Sequence, residues 1–97
     1  MTAPIVEVTH DAGGRRYAGT VEGERLATLR YSLRGDAMRL EHTEVDPRAR
    51  GRGIGEAFVR QVLDELRAEG RRIAVTCPFV TKFIDRNPQY RDLTRPS

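Results

Sequence analysis

Three glycines at alternate positions, Gly51, Gly53 and Gly55, stand where the hydrophobic period of the chain changes. Before them, Met38, Leu40 and then Val45 read as an alternating strand. After them, Phe58, Val59, Val62, Leu63 and Leu66 recur at helical spacing. The segment Val45–Glu56, V-D-P-R-A-R-G-R-G-I-G-E, must therefore convert a strand into a helix within a few residues. Pro47 has no amide hydrogen for a ladder, so the strand breaks at Asp46-Pro47. The first amides of a helix lack internal acceptors, and the helix dipole favours an anion beside them. With Arg48, Arg50 and Arg52 on the same turn, the segment is a candidate phosphate cradle and implies a phosphorylated cofactor.

The elements around this junction follow from turn residues. Ile5, Val6 and Val8 form a first apolar run, closed by the Asp11-Ala12-Gly13-Gly14 turn. Arg16–Val21 is a second strand, with a turn at Glu22-Gly23-Glu24, and Leu26–Leu33 is a third, ending at Arg34-Gly35-Asp36-Ala37. Met38–Val45 is the fourth. Such tight spacing predicts an antiparallel meander. The helix beginning near Ile54 carries Arg60, Gln61, Asp64, Glu65, Arg67 and Glu69 on its far face, and Gly70 stops it. Arg72–Cys77 is a fifth strand ended by Pro78, and Phe79–Arg86 a short second helix ended by Asn87-Pro88. The order ββββαβα predicts an α+β fold: a mixed sheet in which a four-strand antiparallel meander leads into a parallel β-α-β crossover and a C-terminal helix.

Bulk properties narrow the classes of function. Ninety-seven residues predict a single domain, residues 1–97, that buries about two thirds of its unfolded surface. No apolar stretch is long enough to span a membrane, and the N-terminus shows no signal peptide. Cys77 is the one cysteine, so no disulfide framework or zinc spacing exists, no metal is expected, and a reducing cytoplasm is the expected compartment. The 17 basic and 14 acidic residues are mixed along the chain. Only the arginines of the glycine turn concentrate charge, which suits a small polyanion and not a nucleic-acid track.

Glycines alone can also serve only to permit a tight turn. A Walker loop would need Lys and Ser or Thr after its last glycine, where this chain has Glu56 and Ala57. A dinucleotide fingerprint belongs in a first βα unit, but four strands precede this turn. What Arg50-x-x-Gly53-x-Gly55 does resemble, in this position, is the pyrophosphate loop of the GNAT superfamily of acyl-CoA-dependent N-acetyltransferases. H-T-E-V at 42–45, C-P-F-V at 77–80 and R-N-P-Q-Y-R-D-L at 86–93 extend the likeness to very small single-domain members.

The resemblance implies acetyl-CoA as acyl donor. The amides of Gly51, Arg52, Gly53, Ile54, Gly55 and Glu56 would receive its pyrophosphate, and Arg48, Arg50 or Arg52 its 3′-phosphate. In the family the fourth and fifth strands splay and the pantetheine pairs with the fourth like an added strand, which puts the thioester near Thr43 to Val45. A strand amide there would polarise the carbonyl. Four side chains are candidates for the proton chemistry or for a covalent step. Glu44 is a base or a solvated surface group, His42 a base or a structural residue, and Tyr90 an acid for the thiolate or a packing residue. Cys77 is an acyl-carrying nucleophile or a small buried hydrophobe.

Larger GNAT enzymes place helices between their first two strands, for which Asp11 to Arg15 is too short, and add a C-terminal hairpin; neither is expected here. The implied activity is transfer of an acetyl group from acetyl-CoA to an amine, by direct attack within a ternary complex. The alternative is a non-catalytic module of the same fold that binds CoA or a protein. Expected partners are acetyl-CoA and an amine acceptor, with no nucleic acid and no membrane, on a monomer or weak dimer.

Overall fold

The computed structural model describes residues 5–94. Its α+β fold is a single five-stranded sheet in the order β1-β2-β3-β4-β5, with helices packed on one face. The strands are β1 (Glu7–Asp11), β2 (Arg16–Val21), β3 (Glu24–Arg34), β4 (Ala37–Val45) and β5 (Arg72–Val75); the helices are α1 (Ile54–Ala68) and α2 (Pro78–Arg86). The first four strands pair antiparallel as a meander, and β5 pairs parallel to β4. The expected order is therefore found, with two short 3₁₀ turns added, Pro47–Ala49 and Pro88–Thr94.

Helix α1 forms because its apolar residues lie on one stripe, and that stripe is what the sheet buries. Phe58, Val59, Val62, Leu63 and Leu66 are fully buried against Tyr17, Leu29 and Leu40. Gly19 on β2 is required by this packing, since a Cβ there would stand 2.6 Å from the Phe58 ring. Helix α2 and the Pro88–Thr94 turn lie beside α1 and belong to the same core. Tyr90 packs on Phe83, and Arg67 of α1 donates to the Gln89 carbonyl at 2.6 Å.

Two irregularities in the sheet create the site. In β4, Tyr31 opposes Leu40 while Arg30 opposes His42, so Glu41 is an extra residue, a β-bulge. The bulge reverses the phase of the strand. Met38 and Leu40 face the core before it, and Thr43 and Val45 face the same way after it. Beside it, β5 leaves the sheet. The expected fifth strand reached Cys77, but pairing ends at Leu40↔Val75, and the amides of Thr76 and Cys77 both turn onto the Leu40 carbonyl, at 3.0 and 3.2 Å. Pro78 then opens α2 as its first residue.

Candidate functional site

Beyond Leu40, β4 keeps β3 on one side and, among the described residues, has no strand on the other. Asp46 donates its amide to the Leu26 carbonyl of β3 at 2.8 Å. Backbone alternation then turns the groups of Thr43 and Val45 away from β3, toward the gap that β5 vacates. These are donors and acceptors in strand geometry without a strand to pair with.

The loop from β4 to α1 closes the other wall. Asp46 caps the Pro47–Ala49 turn, accepting from the Arg48 amide at 2.9 Å, and buried Ala49 anchors that turn to the core. Gly51 and Gly53 both adopt left-handed backbone, at φ +78° and +75°. A side chain at either would strain the backbone although it would meet nothing within 4 Å, so here glycine is selected by conformation and not by space. Gly53 is the N-cap of α1 and no side chain caps the helix. The first intrahelical bond comes from Ala57, which leaves the amides of Ile54, Gly55 and Glu56 facing outward. Gly55 has a different reason to be glycine: a Cβ there would lie 2.7 Å from the Phe79 ring and 3.0 Å from Val45.

The free strand edge and the uncapped helix start line one cleft of about 840 Å³, with His42, Thr43, Glu44 and Val45 along one side. Arg50, Gly51, Gly53, Gly55 and Glu56 form the other, and Phe79 lies between them. The residues suit a phosphorylated ligand with an extended arm. An uncapped helix start offers amides and a positive dipole end, Arg50 has no carboxylate partner among the described residues, and the strand edge matches an amide-bearing chain.

The other sequence candidates fall out as follows. Arg48 does not line the cleft: it is held at 3.0 Å by both Glu24 and Asp46, and its hydrogen bonds draw the Asp46 carboxyl below the usual carboxylate range. Arg52 is exposed and outside the lining, while Ile54 sends its side chain into the core and offers only its backbone. Glu56 lines the cleft, and Arg86 at 3.3 Å offsets its charge. His42 and Glu44 stand on the rim, largely exposed, with His42 Nε2 3.0 Å from Glu44 Oε1. Cys77 is buried behind Thr43, its thiol donating to the Thr43 hydroxyl at 3.2 Å, and it does not reach the cleft. Tyr90 is remote from it: its hydroxyl donates to Asp64 at 2.7 Å on the outer side of α1.

Sequence reasoning missed three lining residues, Pro47, Ala49 and Phe79. Ala49 and Phe79 read as ordinary apolar positions. The bulge did leave a trace, because the apolar positions shift from even (Met38, Leu40) to odd (Val45) across Glu41-His42.

Comparison with known proteins agrees with this geometry. Residues 16–93 match the sequence profile of a family described as GCN5-related N-acetyl-transferase. The chain is similar to Protein NATD1 of Bos taurus, 35% identical over 94% of this chain and 84% of that protein. It is likewise similar to Protein NATD1 of Homo sapiens, 32% identical over 94% and 84%. Among solved structures, a GCN5-like putative N-acetyltransferase from Staphylococcus aureus superposes with a TM-score of 0.67 over 96% of this chain and 89% of that one, at 19% identity. The ribosomal-protein-S18-alanine N-acetyltransferase from Escherichia coli matches with a TM-score of 0.56 over 62% of this chain and 39% of that one, at 24% identity. The structural likenesses show a shared fold. The profile, spanning four of the five strands, the glycine turn and both helices, shows more: the chain belongs to the GCN5-related N-acetyltransferase family.

Proposed function

We propose that this protein transfers an acetyl group from acetyl-CoA to an amine by direct attack. The observation that carries the reading is the coincidence, in one cleft, of an unpaired strand edge at Thr43 and Val45 with an uncapped helix start at Gly53–Glu56. Arg50 and the amides of Ile54, Gly55 and Glu56 would hold the phosphates, and the edge of β4 the pantetheine arm. Bound there, acetyl-CoA supplies an activated acyl carbon as its thioester. The backbone amide of Thr43 or Val45 would aim at the carbonyl oxygen and favour the charge that develops on it.

The His42–Glu44 pair suits the removal of a proton from the incoming amine. A carboxylate can only accept, so the imidazole must carry its hydrogen on Nε2 when it bonds Glu44. That leaves Nδ1 as a free acceptor at the rim of the cleft. Direct attack is favoured over a route through Cys77, whose thiol is 2% exposed and engaged with Thr43. Cys77→Ala is expected to retain turnover, whereas an inactive but folded variant would revive the covalent route.

Isothermal titration with acetyl-CoA tests the first step. Binding in the micromolar to millimolar range is expected, and its absence at millimolar ligand would sink the reading. A second reading, a non-catalytic CoA-binding or protein-interaction module, draws on the exposure of His42 and Glu44, which nothing described encloses. It gains if acetyl-CoA binds but no amine in a broad panel of peptides and small amines is acetylated.

A further inference from the structure

The two faces of the sheet differ completely in chemistry. Every buried hydrophobic residue described except Ala18 belongs to the single core cluster on the helix side. Both helices contribute to that cluster, so neither covers the opposite face. Register assigns to that opposite face the side chains of Arg16, Arg25, Arg30, Arg34, Arg39 and Arg72, six arginines on four strands. Four carboxylates share it, those of Glu7, Asp11, Glu41 and Glu44. Three of these are engaged: Asp11 with Arg16, Glu41 with Ser32 and Arg39, and Glu44 with His42. Arg25, Arg30, Arg34 and Arg72 have no carboxylate partner among the described residues.

Within this face one row is unfavourable for folding. Arg16 on β2 lies directly opposite Arg30 on β3, and Arg30 directly opposite His42 on β4. Like charges facing each other across strands destabilise a sheet. A bare antiparallel sheet face needs only polar side chains to be soluble, and threonine serves that purpose at Thr9, Thr20 and Thr28 on the same face. The Arg16–Arg30 pair is thus a local cost that Asp11 offsets at Arg16 and that no described carboxylate offsets at Arg30. The row ends at His42, on the rim of the cleft where the amine is to arrive.

We infer that the helix-free face of the sheet is a docking surface for an acidic polypeptide segment, and that this segment carries the amine presented to the cleft. The inference rests on the acetyl-transfer reading for the fate of the amine, but the docking itself does not. Carboxylates flanking the acceptor lysine or N-terminus pair with Arg30 and its partnerless neighbours, and the open rim admits a group borne on a macromolecule.

The test uses the full chain and two labelled peptides, one with a single lysine flanked by glutamates and the other with glutamines in their place. Fluorescence anisotropy at low salt is expected to show the glutamate peptide binding about tenfold more tightly, with the gap closing at about 0.5 M salt as screening shortens. Arg30→Glu is expected to abolish that preference and leave acetyl-CoA affinity unchanged. The same variant should raise Tm slightly, because a carboxylate would then face Arg16, so lost binding cannot be lost folding. Equal binding of the two peptides would overturn the inference, as would an undiminished preference in Arg30→Glu. Displacement of the acidic peptide by a single-stranded RNA that binds more tightly would overturn it in favour of nucleic acid. If acetyl-CoA binds and the acidic preference depends on Arg30, yet no lysine is acetylated, the docking surface stands and the transfer reading falls.

Discussion

Strand β4 has two halves with different tasks. From Ala37 to Leu40 it is paired on both edges, by β3 and by β5, and its inward side chains Met38 and Leu40 are almost completely buried. From Glu41 to Val45 it is paired on one edge only, and its side chains are exposed or half-exposed. The two halves are continuous in sequence and both pair with β3, so strand propensity does not separate them. What separates them is the departure of β5 at the Leu40 carbonyl, coupled to the extra residue at Glu41. The lesson is that this protein makes its cleft by leaving a strand unfinished. A buried, doubly paired half holds the backbone in place, and the other half leaves its outer hydrogen-bonding edge free of any described strand.

The contrast can be broken most sharply in the closed half. Leu40→Ala should lower the free energy of unfolding by about 2–5 kcal/mol, the usual cost of emptying a fully buried leucine site, as read by chemical denaturation. A smaller loss would mean that the closed half does not anchor the strand. In the open half the same truncation should separate stability from activity. His42→Ala and Glu44→Ala should each stay within about 0.5 kcal/mol of the parent in stability, as exposed sites do. Acetyl transfer should nevertheless drop by about 100-fold in His42→Ala, the lower end for loss of a general base. Unchanged rates in both variants would remove the pair from the chemistry.

Two further predictions sharpen the loop side of the cleft. Gly53→Val forces a β-branched residue into left-handed backbone, so it should cost about 1–2 kcal/mol in stability and weaken acetyl-CoA binding as well. Because the position has open space, the penalty must come from the backbone, and Gly53→Asn should recover most of it. The smallest effect expected is on ligand affinity alone. Arg50→Glu should weaken acetyl-CoA by about tenfold without changing Tm, while the ion-paired Arg48 should tolerate Arg48→Ala with little effect on affinity. Equal sensitivity at the two positions would mean that Arg48 leaves Glu24 and Asp46 to reach the ligand.

Most of the element order was legible because each boundary carries its own local chemistry. Glycine-bearing turns mark the hairpins, Pro47 and Pro78 end strands, and the helical stripe from Phe58 to Leu66 is unbroken. The cleft was legible on its loop side for the same reason, since Gly51 and Gly53 are the residues that left-handed backbone requires. Its strand side was less so. The phase shift across Glu41-His42 leaves only one apolar residue, Val45, as its trace and becomes a bulge only through pairing with β3, and the short β5 depends on two amides meeting one carbonyl of another strand. Cys77 and Tyr90 were attractive by position near strand and helix ends. Their contacts with Thr43 and Asp64, 34 and 26 residues away, turn both from the cleft.

The sequence by itself determined that a strand must become a helix at Arg50–Gly55 and that anions would be welcome there. Backbone conformation and the orphan amides of a helix start are local properties. Only the tertiary structure decided which arginine faces the cleft, which side of β4 is free, and that one face of the sheet is bare and cationic. Those depend on which strands are neighbours and where β5 departs. Pairing partners distant along the chain set these features, and no local pattern encodes them.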